Sequence, residues 1–310
     1  MAKLICLAGA TATGKSAVAL ALAERLGGEI ISVDSMQVYR GLDIGTAKPG
    51  QDERRRVPHH LIDVAALDET FDAARFARLA QEAVREIHTC GRVPILCGGT
   101  GLYFKAFLEG LGDAPPADAV LRAELKAAPM AELLRELEER DPVAFEKIDR
   151  QNPRRVIRAL EVIRLTGKPF SSQRADWAAS PSTLNPQPST FIGITRETAD
   201  LHARINARVD LMFRRGLVEE VRELLKRGLA ENRTAMQAIG YRQVVEHLRG
   251  ERKLPETIEL VKIRTRQFAK RQMTWFRRQT QLNWLAITPE ETAESVATRI
   301  MEGLAAVDGP

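Results

Sequence analysis

Apolar residues form short continuous runs near the start of the chain and helix-spaced stripes beyond it. Leu4 to Ala8 is one such run, ending at Gly9, and the good helix formers from Ser16 to Leu26 stop at Gly27-Gly28. The order is strand, loop, helix. Glu29 to Val33 predicts a second strand that ends at Asp34. Phe76, Leu79, Ala80, Ala83, Val84 and Ile87 recur at helical spacing, Gly91 breaks the pattern, and Val93 to Cys97 predicts a third strand. This alternation predicts an α/β fold, a parallel sheet covered by helices with ligands at the carboxyl ends of its strands.

From Gly112 to about Pro188 the strand pattern gives way to helix. Asp141-Pro142 and Asn152-Pro153 each read as an N-cap followed by proline in the first turn, and Gly167 closes the second of these helices after Thr166. Residues 112–188 are therefore expected to form an all-helical insertion in a core made of 1–111 and 189–310. Pro181, Pro186 and Pro188 would make the return linker, after which Thr190 to Ile194 rejoins the sheet. Helices dominate from Leu201 to Arg278, with a weak last strand at Asn283 to Leu285, and no internal repeat is present.

Composition narrows the class. With 310 residues, 44% of them hydrophobic and 28% charged, the chain can bury a large core. No apolar run reaches the roughly 20 residues needed to cross a bilayer, and Met1-Ala2-Lys3 leads directly into the first strand, so a cytoplasmic protein with no membrane contact is expected. Cys6, Cys90 and Cys97 are too scattered for a metal cluster or a disulfide framework and read as small buried hydrophobes. The net charge of +5 favours an anionic partner without naming one. Its placement says more, since basic residues concentrate in the last third of the chain.

Gly9-Ala10-Thr11-Ala12-Thr13-Gly14-Lys15-Ser16 fits the phosphate-loop pattern of Gly, four residues, Gly-Lys-Ser/Thr, and it lies between strand and helix. Backbone amides and a helix N-terminus converge there on phosphate oxygens, Lys15 adds a full charge, and the Ser16 hydroxyl can ligate Mg²⁺. The core is thus expected to be like that of the P-loop NTPases. The loop specifies a diphosphate, not a nucleotide. A nucleotide-hydrolysing relative would place an acid at the end of a second apolar strand, but Ile95-Leu96-Cys97 runs into Gly98-Gly99-Thr100. Ile30 to Val33 does end in an acid, Asp34, so a small-metabolite kinase or a non-catalytic RNA-binding switch remains open at this point.

Val33 to Pro49, VDSMQVYRGLDIGTAKP, closely resembles the tRNA dimethylallyltransferase family. The likeness continues through Pro58-His59-His60-Leu61-Ile62-Asp63, Gly98-Gly99-Thr100-Gly101-Leu102-Tyr103, Asn152-Pro153-Arg154-Arg155, Ile239-Gly240-Tyr241-Arg242-Gln243 and Lys270-Arg271-Gln272. Ala10, Thr13 and Ser16 stand where the family commonly has Pro, Ser and Thr, and Ser16 keeps the hydroxyl. The resemblance implies that Gly9 to Ser16 hold the diphosphate of dimethylallyl diphosphate and that no ATP is consumed. It implies an acceptor as well, the exocyclic amine of an adenosine 3′ of the anticodon in tRNA. That amine is a poor nucleophile, so a base taking its proton as the bond forms would help, and Asp34 is the expected base. Lys15, the loop amides and Mg²⁺ suit the departing diphosphate.

By the same likeness Thr100 is expected to touch the donor or the acceptor nucleotide, and Ser35, Met36, Gln37 and Arg122 to contact tRNA near the reacting base. Gln151, Asn152, Pro153, Arg154 and Arg155 gather at a helix start, where phosphates are favoured, while Val156, Leu160 and Ile163 form the opposite apolar face. Gln237, Gly240, Tyr241 and Arg242 are further candidates for RNA contact. Between Leu260 and Gln279 stand Lys262, Arg264, Arg266, Lys270, Arg271, Arg277 and Arg278 with no acid among them, and Gln272 lies in the same run. Phe268, Met273, Trp275 and Phe276 are expected in the core. An adenine stacked in an anticodon loop cannot offer its amine, so the base is expected to be flipped towards Asp34 by an enzyme acting as a monomer.

Overall fold

The computed structural model of the protein describes residues 4–112, 114–173 and 190–307. The chain divides into two compact units, Met1–Leu108 with Leu184–Pro310, and Glu109–Thr183. The prolines expected to make the return linker, Pro181, Pro186 and Pro188, lie outside the described residues.

The first unit opens with β1 (Ile5–Gly9), α1 (Lys15–Leu26), β2 (Gly28–Val33), α2 (Gln51–Arg56) and β3 (His59–His60). It continues through α3 (Ala73–Thr89), β4 (Val93–Gly98) and α4 (Gly101–Glu109). The second unit holds α5 (Ala119–Ala127), α6 (Met130–Arg140), α7 (Pro142–Lys147), α8 (Pro153–Thr166) and α9 (Phe170–Gln173). The first unit then resumes with β5 (Thr190–Thr195), α10 (Thr198–Arg214), α11 (Leu217–Lys226) and α12 (Tyr241–Leu248). It ends with α13 (Leu254–Gln279), β6 (Asn283–Ala286) and α14 (Ala293–Val307).

The strands form one parallel sheet in the order β3-β2-β4-β1-β5-β6. β1 and β2 are buried at every position, as a parallel strand covered on both faces must be, which is why they read as unbroken apolar runs. Side chains alternate between faces. Cys6, Ala8, Ile31, Val33 and Leu96 meet α3, α4 and α12 on one side, whereas Ile5, Leu7, Ile30, Ile95 and Ile192 meet α1 and α14 on the other. Fully burying a side chain such as Phe76 or Phe104 contributes about 2–3 kcal/mol, so this two-sided core fixes the strand ends from which the site is built.

The helical unit has its own core of Leu125, Leu133, Leu137, Val156, Leu160 and Ile163. Both proline-marked starts form: Asp141 accepts from Ala144 N at 3.0 Å, Asn152 accepts from Arg154 N at 3.2 Å, and Gly167 ends α8 at φ +72°. Glu161 is fully buried there, accepting from Asp118 N at 2.9 Å, Arg122 Nη2 at 2.6 Å and Arg158 Nη1 at 2.8 Å. Burial alone would raise its carboxyl, but the two guanidiniums and the amide more than offset that and hold it below the usual range.

Candidate active site

The phosphate loop spans Gly9 to Ser16 at the carboxyl end of β1. Gly14 caps α1 at φ +97°, a left-handed geometry that glycine adopts without a Cβ penalty, and Ala12 is also left-handed at +65°. The buried Thr13 hydroxyl donates to Ala10 O at 3.0 Å, and Lys15 Nζ folds back to the same carbonyl at 3.2 Å. Carbonyls turned outwards are taken up by arginines: Arg196 Nε donates to Thr13 O at 2.8 Å and Arg204 Nε to Ala12 O at 3.0 Å. Arg208 Nη1 donates to the Thr11 hydroxyl at 3.2 Å. The outer rim of the loop is therefore positively charged.

These arginines were not expected from the sequence, although it carried a signal. Arg196, Arg204 and Arg208 stand at multiples of four residues, which puts the two on α10 on one face beside the loop. Arg196 is itself anchored by Asp200 at 2.9 Å and by Thr288 O at 3.0 Å. Gln272 closes the other side. Its Oε1 accepts from Thr11 N at 2.9 Å and its Nε2 donates to Gly99 O at 2.9 Å, tying α13 to the loop and to the end of β4. A Cβ on Gly99 would stand 2.3 Å from that amide nitrogen, so a side chain there would push the Gln272 amide off the loop. Gln272, expected on RNA, is thus engaged with the loop.

Asp34 follows β2 directly. Its Oδ1 accepts from Met36 N at 2.8 Å and Gln37 N at 3.2 Å, so the carboxylate holds its own turn, while Oδ2 accepts from no donor among the described residues. Thr100, at the end of the neighbouring strand, accepts from Ser35 N at 3.1 Å. Asp34 is close enough to act on both cations of the loop. Burial, reinforced by Arg208, holds Lys15 below the usual lysine range, and Asp34 works against that shift. Burial likewise lowers Arg208, again opposed by Asp34. Cys97, buried at the end of β4, is pushed up to about 11 by burial and is a neutral wall thiol. The structure therefore brings Lys15, Asp34 and Arg208 together, with Thr100 holding the turn after Asp34.

Mg²⁺ is tested by the donors available. Among the described residues no cluster of three or more acid, histidine or cysteine side chains could hold a metal. Mg²⁺ keeps several waters and is commonly held by one or two protein oxygens together with substrate phosphates. The exposed hydroxyl of Ser16 on the first turn of α1 fits that sparse requirement.

Other expected residues are placed differently. Gln37 accepts from the Ser32 hydroxyl at 2.8 Å and donates to Thr46 O at 3.2 Å, pinning the loop that carries Asp43 to Lys48. Arg208 Nη2 reaches the same Thr46 O at 3.4 Å. Tyr241 has no exposed surface and Gly240 is buried, so direct RNA contact by either is corrected to a structural role. The Tyr241 hydroxyl donates to Glu220 at 2.6 Å, and its ring lies 2.4 Å from where a Cβ on Gly45 would stand. Met36 and Ser35 are half-buried in the turn after Asp34, and Gln237 and Arg242 are exposed, Arg242 pairing with Glu246 at 3.0 Å.

In the helical unit Arg122 is paired with Glu161, and Gln151, Pro153, Arg154 and Arg155 are exposed around the start of α8 while Asn152 caps it. On α13, Lys270, Arg271, Arg277 and Arg278 are exposed and have no carboxylate partner among the described residues. Lys262 differs from expectation, being neutralised by Asp210 and Glu259, each at 2.8 Å, and Arg266 is tied to Asn206 at 2.5 Å. Phe276 is buried and Trp275 packs on Gly101, as core residues should, but Phe268 is 38% exposed and is corrected from a core to a surface residue.

The IPP transferase family model matches residues 37–279. The chain is 48% identical over 288 residues to the tRNA dimethylallyltransferase of Geobacter metallireducens, spanning 91% of this chain and 92% of that one. It is 45% identical over 300 residues to the tRNA dimethylallyltransferase of Geobacillus thermodenitrificans, spanning 95% and 94%. The crystal structure of the tRNA isopentenylpyrophosphate transferase of Bacillus halodurans superimposes with a TM-score of 0.71 at 40% identity, covering 99% of this chain and 98% of that one. A eukaryotic dimethylallyltransferase, captured acting on tRNA, superimposes with a TM-score of 0.83 at 29% identity over 97% of this chain and 78% of its own. A phosphate loop beside a single strand-end carboxylate is accordingly the centre of a chain that belongs to the tRNA dimethylallyltransferase family, the IPP transferases.

Proposed function

We propose that this chain transfers the dimethylallyl group of dimethylallyl diphosphate to the exocyclic amine of the adenosine 3′ of the anticodon in tRNA. The observation that carries the reading is the free oxygen of Asp34 within electrostatic reach of Lys15 and Arg208 at the phosphate loop. The diphosphate sits in Gly9 to Ser16, facing Lys15 and Arg208. The adenine amine attacks the allylic carbon, the nitrogen–carbon bond forms as the carbon–oxygen bond to diphosphate breaks, and Asp34 takes the amine proton. Charge accumulates on the leaving group, where the loop amides and both cations stabilise it. Ser16 would hold Mg²⁺, which would supply further charge neutralisation of the diphosphate.

The acceptor must be unstacked to reach Asp34, and the half-buried turn Asp34 to Gln37, held by Thr100, is the surface it would meet. Lys270, Arg271 and Arg277 on α13 would follow the phosphates of the anticodon stem-loop, as would Gln151, Arg154 and Arg155 at the start of α8 in the helical unit. Arg122 would serve as a further RNA contact from that unit. No helix among the described residues is long and apolar enough to cross a membrane, and a tRNA acceptor is consistent with action in the cytoplasm.

The test is transfer itself. Purified chain, Mg²⁺, labelled dimethylallyl diphosphate and unmodified tRNA should place label in the RNA with no nucleotide hydrolysed. ATP turnover on a small acceptor, with no label reaching any tRNA that carries the adenosine, would replace this reading with a kinase.

A further inference from the structure

Phe268 is the one aromatic of α13 that faces water to this extent, being 38% exposed while Phe276 is fully buried. Its neighbour Ala269 is buried against Ala10 of the phosphate loop together with Leu201, Ile205 and Val209, so this turn of α13 is fixed to the loop. Gln272, four residues on and therefore on the same helix face, bonds the loop at Thr11 and the end of β4 at Gly99. Trp275 continues that face over Gly101. Phe268 thus projects from a stripe anchored at the rim of the active site, on a rigid helix.

The chemistry around the ring is specific. The Arg271 guanidinium lies 5.8 Å from its centroid, and Lys270 and Arg271 are exposed without carboxylate partners among the described residues. A half-exposed aromatic with a cation beside it that has no carboxylate partner is an arrangement that binds unstacked bases: the ring takes a base face and the cation takes an adjoining phosphate. A protein partner would more commonly answer with carboxylates, and a lipid surface with several apolar side chains in a row. Extruding the reacting adenine also leaves its neighbour in the loop without a stacking partner on one side, which a protein ring can replace.

We infer that Phe268 is a stacking platform for the nucleobase flanking the reacting adenosine. The inference rests on the tRNA reading above and adds to it a residue that recognises a base where the lysine and arginines recognise phosphate. Phe268 would act on acceptor binding and on the fraction of RNA bound with the adenine extruded, and it would leave the diphosphate untouched.

The experiment uses the full chain with Phe268→Ala, Phe268→Tyr and Phe268→Leu, an anticodon stem-loop RNA, and a second RNA with 2-aminopurine at the flanking position. Phe268→Ala should weaken stem-loop binding about tenfold, the size of one base–aromatic contact, with KM for dimethylallyl diphosphate unchanged. The slope of log Kd against log salt should also stay unchanged, because no phosphate contact is removed. Phe268→Tyr should restore affinity and Phe268→Leu should not. The 2-aminopurine emission, quenched on binding the wild-type chain, should recover in Phe268→Ala. Equal affinity and quenching in Phe268→Ala, or full rescue by leucine, overturns the platform. A changed sedimentation coefficient with RNA affinity intact overturns it too, in favour of contact between copies. A wild-type chain that transfers label while Phe268→Ala behaves normally removes only this inference; a wild-type chain that neither binds nor labels the RNA removes the functional reading as well.

Discussion

Two sets of arginines in this protein do opposite kinds of work. Arg196, Arg204 and Arg208 surround the phosphate loop and spend their hydrogen bonds on its carbonyls and on Thr11, at 2.8 to 3.2 Å. Arg271, Arg277 and Arg278 on α13 stand in solvent without a carboxylate partner among the described residues. The first set is fixed before substrate arrives, which suits a small, highly charged leaving group whose charge grows in the transition state. The second stays hydrated and makes only loose ring contacts, Arg271 at 5.8 Å from the Phe268 centroid and Arg277 at 5.9 Å from that of Trp284, which suits a long polyanion that is held by counterion release and needs no single geometry. Disturbing the first should therefore change turnover, and disturbing the second should change affinity and its response to salt.

The largest effect is expected at Asp34. Asp34→Asn keeps an acceptor for the Met36 and Gln37 amides, so the turn survives, while the free basic oxygen is lost. Turnover should fall on the order of 10²- to 10⁴-fold with little change in stem-loop affinity, read from single-turnover labelling of saturated enzyme. A variant that retains turnover and instead loses donor affinity would make Asp34 a magnesium ligand rather than the base. Arg208 comes next. Arg208→Ala removes one of the two cations that Asp34 acts on, and kcat should fall about 10²-fold, with the donor's KM rising less. Unchanged kcat together with weaker tRNA binding would move Arg208 to the other set and dissolve the contrast.

Exposed cations should give smaller and differently shaped losses. Replacing Lys270 and Arg271 together by alanine is expected to weaken stem-loop binding about tenfold at moderate salt. It should also reduce the salt slope by about 1.4, the value for two contacts on single-stranded RNA. Donor KM should not move. A slope identical to that of the wild-type chain would place the RNA on another surface.

The two sets also differed in how far the sequence revealed them. The loop was legible because Gly14, Lys15 and Ser16 lie next to one another between a strand and a helix, and Asp34 was legible because it ends the adjacent apolar run. Local geometry and sequence spacing coincide there. Arg208 was not legible as part of the site, because its partner Thr11 lies 197 residues away and only the order of strands in the sheet brings α10 beside β1. Gln272, 261 residues from Thr11, was read as an RNA contact for the same reason. Tyr241 shows another limit: a tyrosine in a motif can be kept by one glycine's missing Cβ, and periodicity says nothing of that. The basic run on α13 was legible as charge, but the neutralisation of Lys262 by Asp210 of a neighbouring helix was not.

Arg122 sharpens the contrast most finely, since it is held like the loop arginines while being expected on RNA. Its partner Glu161 is fully buried, and Arg158 shares it. A carboxyl held below its unfolded pKa contributes stability that is present above that pKa, near 4.3, and is lost as pH falls through the lower folded value. The helical unit should therefore lose stability as pH falls below about 4.5, and Glu161→Gln should remove that part of the loss. Because both arginines keep roughly a third of their side-chain surface in water, the cost at pH 7 is expected to be about 1–2 kcal/mol, well under the cost of stranding a fully buried cation. Chemical denaturation at pH 7 and pH 4 measures both quantities. If Glu161→Gln is destabilised equally at the two pH values, the carboxylate's charge is not what fastens Arg122. A guanidinium released by that variant should bind RNA more readily if it is an RNA contact, so a rise in stem-loop affinity would show that Glu161 restrains it. A fall would show that Glu161 aims it.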